Sequence, residues 1–216
     1  MVDSNMDHGA EKKKVRVKLR QKNLIKTENS FLTIRTIMEK ESEILQVIEE
    51  ITRDIVNKLE NKPKIYLFGK ECHQQRDVGF FSDESVGYWY SRTLMESQPL
   101  THHMQQLLVY INNIYGSEYN GILINRYLTG EEYIGAHSDD ESGLDKSGVV
   151  ALSWGSTRKF RIRNKKTKKI FMDVPLEHLS IINMGGDFQK EFTHEVPAEK
   201  KVKNMRISLT FRRHII

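Results

Sequence analysis

Arg206-Ile207-Ser208-Leu209-Thr210-Phe211-Arg212 alternates without a break, every even position polar and every odd position apolar. A period of two is the mark of a β-strand, and it puts Arg206, Ser208, Thr210 and Arg212 on one face. An isolated edge strand could turn that face to water. In a two-sheet roll the same face points inward, where two guanidiniums and two hydroxyls are costly unless an anion meets them. A dicarboxylate suits, because Arg binds carboxylates through two parallel hydrogen bonds.

The sequence upstream favours the roll. After Gly121 come short β-type runs at 122–128, 149–154, 159–163, 170–174, 179–184 and 192–196, broken by Gly, Asn, Asp and charged turns. With the strand at 206–212 they predict a jelly roll rather than alternating βαβ units. Before Gly121, Ile44, Ile48, Ile51, Ile55 and Leu59 recur at helical spacing within 41–60, and Met104, Leu107, Leu108, Ile111 and Ile114 do so within 101–115. Gly116 is placed to end the second helix. Between the two helices, residues 63–92 read as a strand and loop region rich in aromatics. The expected organisation is a basic, disordered tail over 1–30 and a single domain over 31–216. In that domain, helices and an aromatic region (31–120) precede a β-rich core (121–216), an α+β, mainly β class.

The chain has 216 residues, with 34 Lys plus Arg against 29 Asp plus Glu. Most of the +5 excess falls in residues 1–30, where eight bases face four acids. A polar, basic stretch suits nucleic-acid contact, a nuclear import signal or a solubilising tail. Residues 158–169 carry eight bases and no acid, from Arg158 to Lys169, and read as a cationic hairpin suited to a phosphate backbone. The single cysteine, Cys72, excludes an internal disulfide and a multi-cysteine zinc cluster. It points to a reducing, intracellular setting, in the nucleus or cytoplasm, and to metal chemistry from His and carboxylates. No apolar run approaches the roughly 18 residues that span a bilayer, so no membrane partner is expected.

His137-Ser138-Asp139 follows a short β-type run, and a strand continued through it turns His137 and Asp139 to one side. Alone, this is as well read as a His and an Asp sharing a hydrogen bond. His194, inside the run 192–196, supplies a third ligand type. Two imidazoles and one carboxylate make a facial triad that leaves open positions on an iron, where a structural zinc site would be closed by a fourth ligand.

These residues, taken in order, resemble the AlkB family of Fe(II)- and 2-oxoglutarate-dependent dioxygenases, most closely its nuclear, double-strand-preferring DNA-repair branch. The motifs are Leu123-Ile124-Asn125-Arg126-Tyr127, His137-Ser138-Asp139-Asp140-Glu141, Ser153-Trp154-Gly155-Ser156-Thr157-Arg158, His194, and 206–212. The resemblance implies a double-stranded β-helix fold with a nucleotide-recognition lid. It implies iron ligands at His137, Asp139 and His194, and a 2-oxoglutarate site at Asn125, Tyr127, Arg206 and Arg212, with Ser208 and Thr210 on the same face. Either Arg206 or Arg212 would pair with the distal carboxylate. Asp140 and Glu141 would meet the exocyclic amine of a damaged base, and Tyr90 and His137 would sandwich its ring beside Tyr88. Phe68 would fill the duplex gap. Arg76 falls in a substrate-facing segment, and Arg158, Lys200 and Lys201 would contact the nucleic acid, with Glu199 where a third base is usual. The implied activity is demethylation of 1-methyladenine and 3-methylcytosine in duplex or single-stranded DNA. It would use Fe(II), O2 and 2-oxoglutarate and release formaldehyde, succinate and CO2. RNA or a protein is the alternative substrate, and a monomer is expected.

Overall fold

The computed structural model of the chain describes residues 21–67, 69–91, 93–140 and 148–214. Residues 1–20, the larger part of the expected tail, lie outside them. The strands run β1 (Lys22–Lys26), β2 (Ser30–Thr36), β3 (Lys64–Leu67), β4 (Lys70–His73), β5 (Asp77–Phe81), β6 (Gly87–Tyr90) and β7 (Thr93–Gln98) in the first half. They continue as β8 (Gly121–Tyr127), β9 (Ile134–His137), β10 (Val149–Gly155), β11 (Arg158–Asn164), β12 (Ile170–Leu176), β13 (Ser180–Gly186), β14 (Phe192–Val196) and β15 (Arg206–Arg212). The helices are α1 (Ser42–Asp54), α2 (His102–Tyr115) and the single turn α3 (Phe188–Glu191).

A nine-stranded sheet of order β1-β2-β13-β10-β15-β8-β5-β7-β6 faces a four-stranded sheet of order β12-β11-β14-β9, and β3 and β4 form a separate hairpin. The expected jelly-roll architecture is present. Helices α1 and α2 cover the outer face of the large sheet through Ile48, Ile51, Leu107 and Ile111, all without exposed surface. Burying each such side chain is worth about 1.5–3 kcal/mol. Between the two sheets lies a second core, including Val149, Phe160, Ile162, Val174 and Phe188.

Strand β15 sits in the middle of the large sheet, between β10 and β8, and all seven of its residues are buried. Ile207, Leu209 and Phe211 enter the core under the helices. Arg206, Ser208, Thr210 and Arg212 turn into the cleft between the sheets, as the roll requires. The capping of α2 follows its sequence: the Thr101 hydroxyl accepts the Met104 N–H at 3.3 Å, and Gly116 ends the helix at φ +61°.

Two expectations are corrected. Residues 22–26 are the edge strand β1, because Ile25, only 4% exposed, packs against the inter-sheet core and outweighs the flanking lysines. The first half, expected to hold strand only within 63–92, supplies β1, β2 and β7 to the large sheet as well as β5 and β6, and α1 ends at Asp54 rather than near residue 60.

A partly buried polar knot fastens α2 to β2. Arg35 of β2 meets the Glu41 carboxylate at 2.7 Å, and the Tyr110 hydroxyl of α2 donates to the same carboxylate. Burial raises the Glu41 pKa, but the bonds from Tyr110, the Met38 N–H and Arg35 outweigh it and leave the pKa lowered. A lowered carboxyl stabilises the fold above its ordinary range and loses that contribution as the pH falls through the folded value. Glu41→Gln is therefore expected to cost about 2 kcal/mol at pH 7 in urea unfolding. The gap to wild type should narrow as the pH drops below about 4. A gap independent of pH would show that the ion pair contributes nothing.

Candidate metal and anion site

Strand pairing assembles the site before any side chain is considered. Arg206 lies opposite Tyr127, and Ser208 opposite Asn125, in the β15–β8 ladder. On the other side Ser153 of β10 lies opposite Ser208, and Gly155 opposite Arg206. Residues at matching parity on neighbouring strands share a face, so Asn125, Tyr127, Ser153, Arg206 and Ser208 form one contiguous patch. Gly155 is required where it stands: its φ is +92°, and an added Cβ would lie 2.4 Å from the Met205 carbonyl oxygen.

The patch lines a cleft with about 500 Å3 of empty space, part of it open to solvent. Arg206 is 2% exposed and donates from Nη2 to the Ser153 hydroxyl at 2.8 Å. Its Nε and Nη1 have no partner among the described residues. Burial pushes its pKa down to about 10, aided by the like charge of Arg158 and opposed by Tyr127. A cation this deep with two idle donors is a prepared anion site.

Across the cleft, His137 of β9 lies opposite His194 of β14, with ring centroids 4.3 Å apart. One ligand atom from each of His137, Asp139 and His194 lies within 4.8 Å of the others. The convergence expected from the sequence occurs, though not by an extended strand. Strand β9 stops at His137, and Asp139 stands in the segment beyond it.

The protonation states suit a cation. Nδ1 of His137 donates to the Gly135 carbonyl at 2.9 Å, which leaves the Nε2 lone pair toward the cluster. Burial, with the His194 ring beside it, lowers the His137 pKa to about 3, so the imidazole is neutral near pH 7. Burial raises the Asp139 pKa, but Arg212 and the two imidazoles outweigh it and hold the carboxyl well below its ordinary range. Arg212 Nη2 donates to Asp139 Oδ1 at 3.1 Å. The His194 ring is oriented by packing, stacked on Phe160 at 5.1 Å. Two imidazoles, one carboxylate and an open cleft fit an octahedral iron with positions to spare, next to a guanidinium with idle donors for a bound carboxylate.

The other expected site residues divide. Tyr88 and Tyr90 stack at 6.1 Å near the cleft mouth, with the Arg212 guanidinium 4.8 Å from the Tyr88 ring centre. Tyr90 and His137 stand edge to face at 90° and 6.4 Å, so they do not form the parallel walls of a base sandwich. Arg76 is buried, bonded from Nε to Asn125 Oδ1 at 2.6 Å, and stacks over Tyr90 at 5.3 Å. It continues the inward parity of β5, a placement that only the β5–β8 register reveals. Asp140 is exposed and paired with Lys165 at 2.9 Å. Lys200 and Lys201 are exposed. Phe68 and Glu141 lie outside the described residues.

Arg158 and its hairpin need correction. Arg158 is 1% exposed and donates to the carbonyls of Thr129, Glu132 and Pro197 and to the Glu199 carboxylate. It is a structural clamp rather than a phosphate contact, and Glu199 stands in a basic-looking segment as its counterion. Arg161 and Arg163 are likewise met by Asp173 and Glu195. The exposed bases of the hairpin are those at its tip, Lys166, Lys168 and Lys169. The acids responsible lie on β12 and β14, the two strands paired with β11, and so escape a local count of charge.

A family model described as the 2OG-Fe(II) oxygenase superfamily matches residues 31–212. The human protein named DNA oxidative demethylase ALKBH2 is 25% identical over 189 residues, covering 84% of this chain and 72% of that protein. The bovine alpha-ketoglutarate-dependent dioxygenase alkB homolog 3 is 36% identical over 137 residues, covering 58% of this chain and 47% of its own. Among solved structures, OsALKBH1 superposes with a TM-score of 0.54 at 16% identity, over 89% of this chain and all of that one, a likeness of fold.

Arg158→Met would strand three carbonyls and a carboxylate, and is expected to cost about 3 kcal/mol or more in urea unfolding. Oligonucleotide affinity of the folded protein should stay unchanged. Lost affinity at full stability would restore Arg158 to the binding surface.

Proposed function

We propose that this chain, which belongs to the 2OG-Fe(II) oxygenase superfamily, is an AlkB-type oxidative demethylase that removes N-alkyl groups from 1-methyladenine and 3-methylcytosine in DNA. The observation that carries the reading is the facing of two half-sites across one cleft. The His137, Asp139 and His194 cluster lies on one wall, and the Arg206 guanidinium, with Nε and Nη1 idle, on the other. The names of the ALKBH2 relatives, in human and in cattle, support the choice of DNA.

His137, Asp139 and His194 would hold the iron. Arg206 would take the distal carboxylate of 2-oxoglutarate along one edge of its guanidinium, through its idle Nε or Nη1 and the second hydrogen of the Nη2 that Ser153 holds. Arg212 is already engaged with Asp139, which supports giving the co-substrate carboxylate to Arg206. Iron with 2-oxoglutarate and O2 supplies the oxidising power that puts a hydroxyl on the N-alkyl carbon, with succinate and CO2 as by-products. The hydroxymethyl group then leaves as formaldehyde and the nitrogen is restored.

The chain's own contribution is placement and charge. Apolar neighbours such as Phe160, Ile182 and Val196 line the cleft around the cluster. A flat, cationic base would have to take the place now held by the Arg76 and Arg212 guanidiniums against the Tyr90 and Tyr88 rings, which already accept a planar cation. Such a base cannot pair normally, so extruding it from a duplex costs little. Exposed Lys166, Lys168, Lys169, Lys200 and Lys201 would meet the phosphates.

Formaldehyde release should be measured from one methylated sequence presented as single-stranded DNA, duplex DNA and RNA. Release from at least one DNA form, dependent on 2-oxoglutarate, is expected. Arg206→Met should raise the KM for 2-oxoglutarate at least about 30-fold. Release from RNA alone, or from none of the three, would overturn the reading.

A further inference from the structure

The carboxylate of the metal cluster comes from a segment that no sheet holds. Strand β9 ends at His137, and β14 pairs with it only as far as that residue. Three consecutive residues beyond the strand are instead tied, one by one, to a single neighbouring region. The Ser138 hydroxyl donates to the Phe192 carbonyl at 3.1 Å. The Asp139 backbone N–H donates to Gln189 Oε1 at 3.0 Å. The Asp140 carboxylate accepts from Lys165 Nζ at 2.9 Å.

The anchor is itself braced. Gln189 sits on α3, directly before β14 brings in His194. Its amide nitrogen approaches the Met184 sulfur at 3.8 Å, so both ends of the amide are engaged. Lys165 donates to the Gln189 carbonyl at 3.0 Å, and the Lys165 backbone N–H donates to the Glu191 carbonyl at 2.9 Å. One ammonium from the tip of the β11–β12 hairpin thus grips Asp140 and the backbone of Gln189 together.

We propose that Gln189 is a positioning residue for the metal ligand Asp139, with Lys165 as its anchor. The inference rests on the metal-site reading above. Asp139 is 5% exposed, so its N–H has no ready access to water, and Gln189 supplies its acceptor. Without it the segment must move to satisfy that donor. Arg212, bonded to Oδ1, would then draw the carboxylate off the position shared with His137 and His194. Groups that orient a ligand in this way are worth roughly 10- to 100-fold in metal affinity.

The test is Co(II) binding, followed by the visible absorption of the bound ion, with the melting temperature of the metal-free protein measured alongside. Gln189→Ala is expected to weaken Co(II) binding about tenfold or more. The metal-free melting temperature should stay within about 3 °C of wild type. Gln189→Glu keeps an oxygen that can accept the Asp139 N–H and should recover most of the affinity. Lys165→Met, acting one step further away, should weaken binding less, and carries the test if Gln189→Ala does not fold. Wild-type affinity in both Gln189→Ala and Lys165→Met would overturn the inference alone. A wild type that takes up no more Co(II) than His137→Ala would overturn the metal assignment beneath it.

Discussion

Arg206 places a guanidinium between two sheets where, among the described residues, only one of its three nitrogens finds a partner, the Ser153 hydroxyl. A hydrophobic core would not tolerate that arrangement without return, because an uncompensated buried cation costs several kcal/mol. Its neighbour shows that the fold is able to compensate such a charge. Arg158 and Arg206 lie against the same Tyr127 ring, each 5.5 Å from its centre. Arg158 is satisfied by three carbonyls and Glu199, whereas Arg206 keeps two donors in reserve. The difference separates a structural arginine from one kept for a ligand, and it gives the cleft between the sheets its chemical character.

The distribution of charge follows the same division. Five of the eight bases at 158–169 are met by acids, on β12, on β14, at Glu199 and in the segment after β9, which leaves Lys166, Lys168 and Lys169 as the outward cationic element. Asp140, the residue after the ligand Asp139, is held by Lys165 from the tip of the β11–β12 hairpin. The hairpin tip and the metal-ligand segment are therefore joined through one side chain.

Much of the fold was legible because local pattern and global need agree. The alternation at 206–212 predicted a strand with a polar inner face, and burial on both faces marks it as central. Thr101 and Gly116 bounded α2 by ordinary capping chemistry. In the first half, strand character was legible within 63–92 but the individual strands were not: β5 is buried along its whole length and shows no alternation. Tertiary pairing with β8, not propensity, makes it a strand. In the site, His137 and His194 could be picked from residue type and setting. The geometry of Asp139 could not, since its segment leaves the strand and is held by Gln189, 50 residues on. Arg158 misled for a related reason: a run of bases reads as a surface until the acids and carbonyls from other strands are in place.

The central claim is that the inter-sheet cleft is prepared for a metal ion and a dicarboxylate together, with Arg206 as the waiting counterion. The most direct check is the melting temperature of the protein with Mn(II) and 2-oxoglutarate, each alone and together, against a monocarboxylate of the same chain length. A ligand that binds only the folded state stabilises it, by about 2.7 kcal/mol at a hundred times its Kd. The account predicts a clear rise with metal and dicarboxylate together, and little with the monocarboxylate. Equal shifts for the two acids, or none for either, would contradict it.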